Sequence, residues 1–393
     1  MSLFDRRKVL AGIGTATFIA ASGARGAMAS TATAGSKLVV VFLRGGMDGL
    51  HVFPAYADPD FVRERRGLAM PGPGQAGGSL ALDGFFGIDP LMPQLRDMYV
   101  SREMLLVHAI ASPHRSRSHF DAQHLLENGT TAPYGADTGW LNRALVGLPS
   151  RGRDIGVSVT SSMPVMMQGP AMVTNWSPSA LPQPNAELLD RLGSLYETDI
   201  PLREALENAK AANAAVLERA GTGFPSLLRA AASFLNSPTG PRVAFLELGG
   251  FDSHANQNAQ LGALQRNLKA IDEGVAAFRK AMGAEWSRTA ILFVTEFGRT
   301  VAMNGSNGTD HGTAGAAFLM GGAVNGGRVI ADWPGLKPAQ QLEGRDLKPT
   351  ADLRALFKAV LRDHLGVPPE RLEREIFPSS NMARPFDSLF RRT

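Results

Sequence analysis

At 393 residues, 44% of them hydrophobic, the chain can bury a large core in one elaborated domain or two, while 43 glycines and 25 prolines predict many loops. The formal charge is +4, but Arg6, Arg7, Lys8 and Arg25 lie in the first 29 residues against Asp5 alone. The rest is nearly neutral with scattered Lys and Arg, so nothing argues for nucleic acid or an anionic membrane. There is no cysteine, which excludes disulfides, thiolate metal sites and cysteine nucleophiles.

Residues 1–29 read as a leader and not as fold. Asp5-Arg6-Arg7-Lys8 precedes a short apolar segment, Ala11–Ala21, and the stretch ends in Ala27-Met28-Ala29. A basic start, a short apolar core and an A-x-A ending describe a signal peptide cleaved after Ala29. The adjacent arginines resemble the twin-arginine export signal, which implies a bacterial source, use of the twin-arginine export machinery and a periplasmic or secreted mature protein. The apolar core is too short and too rich in Gly, Ala and Thr for a transmembrane anchor. Residues 30–393 are expected to form a single α/β domain with excursions at about 57–90 and 150–240.

Lys37–Arg44 (KLVVVFLR) reads as the first buried strand, apolar from Leu38 to Leu43, and it breaks into Gly45-Gly46-Met47-Asp48. The glycines allow close backbone approach to a ligand; a tight turn with its usual Asp is the structural alternative. Met104–Ile110 predicts a second strand. A turn dense in His and Arg follows, His114-Arg115-Ser116-Arg117-Ser118-His119, with Ser118 the predicted N-cap of a helix. A hydroxyl there faces free N–H groups and the positive dipole end, which suits a nucleophile or an anion site as well as a plain cap.

Asp137–Arg143 starts another helix. Residues 150–185 read as loop and strand, with Met163, Met166 and Met167 as gap-filling core. Residues 186–236 read as mostly helical, with an alanine-rich packing face over Leu206–Val216. Arg242–Leu248 is a third buried strand and again ends in Gly249-Gly250-Phe251-Asp252, then Ser253-His254. Gln257–Met282 carries an amphipathic helical period.

Ala290–Val294 is the fourth strand. It breaks into Glu296-Phe297-Gly298-Arg299, and a Gly- and Asn-rich loop delivers Asp310-His311-Gly312. Short strands at Ala316–Met320 and Arg328–Ile330 and a helix over Thr350–Leu365 complete the pattern. Strands and helices alternating at this spacing predict an α/β fold with a mainly parallel central sheet and helices on both faces. Ligands in such sheets sit outside the carboxyl ends of the strands. Those ends collect Asp48, Asp252, His254, Glu296, Arg299, Asp310 and His311, with Ser118 and His119 near by. Oxygen and imidazole donors without thiolates suit one or two divalent ions such as Zn, Mn, Mg or Ca, and Arg299 suits an anionic oxygen.

Six segments, LRGGMDG at 43–49, RSHFDAQ at 117–123, GWLNR at 139–143, GGFDSH at 249–254, EFGRT at 296–300 and GTDHG at 308–312, together resemble the signature set of one bacterial family. It is the family catalogued as domain of unknown function 1501, and the resemblance covers about Lys37 to Pro378. It implies an alkaline-phosphatase-like fold, shared with sulfatases and cofactor-independent phosphoglycerate mutases. It also implies metal-binding roles for Asp48, Asp252 and His311, and a nucleophile at Ser118. Two positions depart from the superfamily pattern: the histidine usually four residues after the middle Asp is here two after it, at His254, and Phe297 stands where a histidine usually follows an Asp. The resemblance implies an exported, metal-dependent hydrolase of phosphate or sulfate esters acting on an anionic small molecule or a polysaccharide ester. Ser118, His119 and Arg299 would be its catalytic residues, and Asp48, Asp252, His254, Glu296, Asp310 and His311 its metal ligands. The alternative on the same fold is a non-catalytic binding or assembly protein of the cell envelope.

Overall fold

A computed structural model describes residues 35–150, 155–178, 186–200 and 223–392, and residues 202, 203, 206, 207 and 210 between them. The expected leader at 1–29 with its expected cleavage position, and most of the expected alanine-rich face at Leu206–Val216, lie outside the described residues. The strands are β1 (Lys37–Leu43), β2 (Leu80–Ala81), β3 (Gly87–Ile88), β4 (Met104–Ala111), β5 (Gly156–Val159), β6 (Val173–Trp176), β7 (Val243–Leu248), β8 (Thr289–Val294), β9 (Gly315–Met320), β10 (Arg328–Ile330) and β11 (Ala351–Asp352). β2 and β3 form a small hairpin, and the rest form one sheet in the order β10-β4-β9-β8-β1-β7-β5-β6, with β11 beside β4.

β1 lies at the centre, parallel to β7 on one side and to β8 on the other. Its alternate side chains feed two separate cores. Val39, Val41 and Leu43 pack under the helices Phe224–Asn236 and Ala263–Met282. Leu38, Val40 and Phe42 pack under Trp140–Leu145 and Leu353–Val360. Every side chain of β1 is therefore buried, which is why its sequence is a continuous apolar run without alternation. The expected α/β class, mainly parallel with helices on both faces, is the architecture observed. Met166 and Met167 fill the second core, where Trp140 stacks on Phe357 with ring centroids 4.6 Å apart.

Three details differ from the sequence reading. β9 runs antiparallel to both of its neighbours, β4 and β8. An apolar run carries no sign of its direction, so the pattern alone left this open. The helix expected from Gln257 begins at Ala263, because Asn256 and Leu261 adopt positive φ (46° and 60°) that no helix accommodates. The helix expected from Thr350 begins at Leu353, where the Asp352 side chain caps it by accepting from the Arg354 amide, while Ala351 and Asp352 pair with β4. No helix among the described residues is long and apolar enough to cross a membrane.

Two buried histidines make the fold acid-sensitive. His364 donates from Nε2 to the Lys37 carbonyl at 2.8 Å, and His108 from Nε2 to the carbonyls of Phe53 and Gly49 at 3.2 and 3.3 Å. Burial pushes each from 6.5 down to about 4. The unfolded chain therefore takes up protons that the folded chain refuses as pH falls from 6.5 to about 4. Their penalty is absent above that window and grows through it, by at most about 1.4 kcal/mol per pH unit per histidine. Urea unfolding at pH 7 and pH 5 should show wild type losing more stability between the two than His364→Gln, whose amide still donates to Lys37. Equal losses would refute this assignment.

Candidate functional site

β1, β4, β7 and β8 all point the same way, so the loops after them share one edge of the sheet. Because β9 runs the other way, its amino-terminal end lies at that same edge and brings Asp310 and His311 there. The chain around Arg299 pairs antiparallel with that around His311, with the Gly312 amide donating to the Gly298 carbonyl at 2.8 Å. Gly45 and Gly46 have φ of 117° and 70°. A Cβ at Gly45 would lie 2.6 Å from the Asp252 amide nitrogen, and one at Gly46 2.5 Å from the Phe297 ring. Only glycine lets these loops close on one another.

Where the loops meet, His119, Asp252 and His311 each offer one ligand atom, all within 4.8 Å of one another. Asp252 Oδ1 lies 3.4 Å from His119 Nε2, 3.3 Å from His311 Nε2 and 3.0 Å from His254 Nε2. The far nitrogen of each ring is held from behind. His311 Nδ1 is 2.7 Å from the Arg117 carbonyl, which can only accept, so that nitrogen carries the hydrogen. His119 Nδ1 donates to Glu296 Oε1 at 2.8 Å, and His254 Nδ1 stands 3.2 Å from Asp310 Oδ1. The Nε2 atoms of His119 and His311 therefore both face Asp252. His119 Nε2 is buried and makes no hydrogen bond, and His254 Nε2 and His311 Nε2 are 2.9 Å apart. Facing lone pairs at that distance repel unless a proton or a cation lies among them. The spacings of 3.4 and 3.3 Å from Asp252 Oδ1 to His119 and His311 lie near the edge of roughly 3.3 Å in a tetrahedron with bonds of about 2.0–2.1 Å, and the two imidazoles, whose ligand atoms lie within 4.8 Å of each other, would draw together onto one ion. These donors fit a divalent ion.

The structure corrects several sequence assignments. Asp48 does not join the cluster. One of its carboxylate oxygens caps the helix Gly49–Val52 by accepting from the Leu50 and His51 amides, and the other accepts from Arg65 Nη2 at 2.7 Å and Gln257 Nε2 at 2.8 Å. Both Asp48 and Arg65 are buried, so Arg65 already supplies the positive charge expected from a metal. Arg299 is not free to clamp an anion. Its buried guanidinium donates to the carbonyls of Gly45, Gly46, Phe251 and Thr309 and to Asp252 Oδ1.

Glu296 stands behind His119 instead of at the cluster. Its Oε1 also accepts from the Gly45 amide and Gln123 Nε2, each at 2.9 Å, and its Oε2 from Thr295 Oγ1 at 3.1 Å. Asp310 stands behind His254, where it also accepts from Asn304 Nδ2 at 3.0 Å. His119, expected as a catalytic neighbour of Ser118, is instead part of the cluster itself. Phe297, at the position without a histidine, packs its ring 4.8 Å from that of His119 and 4.9 Å from that of His311. Ser118 caps the helix His119–Asn128, accepting from the Asp121 amide at 3.5 Å, and is partly exposed. Arg65 went unnoticed in the sequence, and Gln123, Thr295 and Gln257 were given no role there.

These contacts set the charges. Burial alone would raise Asp252, yet the hydrogen bond and charge of Arg299 pull it down to about 2. Burial would likewise raise Glu296, but the bonds from His119 and Gln123 hold it below the usual carboxylate range. The bond to Glu296 raises His119, whereas burial lowers His311. The cluster thus combines ionised carboxylates with at least one imidazole kept neutral near pH 7.

At the level of families, residues 104–369 match the one described as "Protein of unknown function (DUF1501)". The chain belongs to this family. The matched span contains the RSHFDAQ, GWLNR, GGFDSH, EFGRT and GTDHG segments, and LRGGMDG precedes it. No curated protein matches the sequence significantly. Among solved structures, the chain is similar to the PsFucS1 sulfatase from Pseudoalteromonas sp. (11% identity, TM-score 0.40, covering 91% of this chain and 73% of that one). It is also similar to the lipoteichoic acid synthase LtaP from Listeria monocytogenes (10%, 0.39, 91% and 78%). A third is the C-terminal periplasmic domain of EcEptC from Escherichia coli in complex with Zn (10%, 0.36, 73% and 73%).

The buried Asp48–Arg65 pair gives a direct check. Asp48→Ala leaves the Arg65 charge buried and unpaired, and should cost about 3–5 kcal/mol in urea unfolding. Asp310→Ala, on a half-exposed side chain, should cost below about 1 kcal/mol. Similar small costs for both would refute the structural role of Asp48.

Proposed function

We propose that this member of the family is a metal-dependent hydrolase of phosphate or sulfate esters, with a single divalent ion held by His119, Asp252 and His311. The observation that carries the reading is the convergence of two Nε2 atoms on Asp252 Oδ1, each imidazole fixed from behind by Glu296 or the Arg117 carbonyl. Such outer partners are the usual companions of metal-bound histidine. Imidazole-rich donors favour Zn or Mn over Mg or Ca. One ion is proposed, not two, because both carboxylate oxygens of Asp48 are taken up by the helix cap, Arg65 and Gln257, outside the cluster.

A bound ion at this point supplies Lewis-acid polarisation of an ester oxygen. The chain's own groups do the rest. The helix His119–Asn128 presents its first amides towards an anion. Ser118, at that N-terminus, is the proposed nucleophile. His254, backed by Asp310, is the proposed proton donor to the leaving oxygen: its side chain is 44% exposed against 23% for His119 and for His311, so it borders solvent and an incoming substrate. Residues 1–29 support export to the periplasm or beyond in this reading.

A second reading has one observation in its favour. His254 Nε2 lies as near Asp252 Oδ1 as the other two imidazoles do, and a fourth protein ligand would close the site, as in structural metal centres. The protein would then bind without catalysing. Elemental mass spectrometry of protein purified without chelator should find about one equivalent of a transition metal, lost in Asp252→Asn and His311→Ala. Glu296→Gln should weaken metal affinity about 10–100-fold. With 4-nitrophenyl phosphate and sulfate, Ser118→Ala should keep the metal and lose turnover. His254→Ala should keep the metal and lose turnover by about 100-fold or more. Loss of metal in His254→Ala would favour the closed, non-catalytic site, and absence of metal from folded wild type would sink both readings.

A further inference from the structure

The helix that begins with His119 also carries rings that the centre does not use. Phe120 follows His119 directly and is 82% exposed, and Tyr134 is 67% exposed. His124 lies one turn beyond Phe120 on the same face of the helix His119–Asn128. The Tyr134 ring packs on the His124 ring with centroids 4.3 Å apart. His124 Nδ1 accepts from the Tyr134 amide and from Asn128 Nδ2, each at 3.1 Å, which leaves the hydrogen on Nε2. Tyr134 is held at φ 59°, a conformation unfavourable for a bulky side chain that recurs where a ligand is clamped. Scattered exposed apolar residues are ordinary. A positive-φ tyrosine whose ring packs at a 40° tilt against a hydrogen-bonded imidazole is a built arrangement.

From this geometry we infer that Phe120, His124 and Tyr134 form a saccharide subsite that binds a sugar ring of an esterified glycan while the ester lies at His119, Asp252 and His311. The apolar face of a pyranose lies flat on an aromatic ring, and its hydroxyls need polar neighbours. Here His124 Nε2–H offers a donor, and exposed Thr131 and Asp137 flank Tyr134. A lipid chain would need a continuous apolar surface, which this polar loop does not offer. The inference takes the ester from the hydrolase reading, but the ring contacts stand on their own.

The test is a glycan array of neutral, sulfated and phosphorylated oligosaccharides, probed with the metal-loaded mature protein. Wild type should bind at least one class of esterified oligosaccharide, and Phe120→Ala and Tyr134→Gly should each lower its affinity about tenfold. Tyr134→Gly removes the ring and also relieves the positive φ, so its melting temperature should equal or exceed that of wild type and misfolding cannot account for the loss. Metal content and turnover of 4-nitrophenyl esters should be unchanged in both variants. If no glycan binds, or if both variants bind like wild type, the subsite is refuted while the ester reading survives on turnover alone. If glycans bind through Tyr134 and no ester is ever turned over, the subsite stands and the hydrolase fails.

Discussion

One buried guanidinium holds the edge of the sheet together. Arg299 has left water entirely, and a charge can do so only when its donors are met. They are met by the loops after β1 and β7, by the segment that leads into β9, and by the carboxylate of Asp252. A planar fork with five donors suits this task, which a lysine could not perform. The positions of Gly45, Gly46, Phe251 and Thr309 are thus fixed by the same group that keeps Asp252 ionised. Asp252 turns the same oxygen towards the imidazoles, so the charge balance of the cluster and the closure of the loops are set together.

A second buried arginine repeats the theme one strand over. Arg65 satisfies Asp48 and also donates to the carbonyls of Thr300 and Val301, beyond Arg299 in the chain. The two strand-end aspartates, which look alike in sequence, therefore have different surroundings. Asp48 is closed off by a cation and a helix cap, whereas Asp252 is left half open to solvent and to three imidazoles. Local sequence made the two equivalent, and their long-range partners made them different.

This difference marks how far the sequence was legible. β1, β4, β7 and β8 were readable because strands buried on both faces must be apolar throughout. The edge that carries the cluster was readable because parallel strands end together. The role of each polar residue was not, because it depends on what faces it from elsewhere in the chain. Arg65 lies in an aperiodic stretch that gave no hint that its charge would be buried. Glu296 looked like a ligand because it ends a strand, but Gly45 and Gln123 bind it from two other segments and leave it behind His119. His119 was noticed for its place beside Ser118, while its partner Asp252 comes from β7, far along the chain.

β9 carries a consequence for how the chain is fastened. His311 reaches Asp252 across 59 residues, and His119 comes from an earlier segment still, so the three contacts join parts of the chain that share no local structure. In a protein without cysteine, an ion gripped at that point would act as a reversible staple. By the chain-entropy estimate used for disulfides, closing a loop of this length removes about 4 kcal/mol of freedom from the unfolded chain. Each step of loading would then be a step of assembly as well, with the last loops drawn onto the sheet as the ion is taken up.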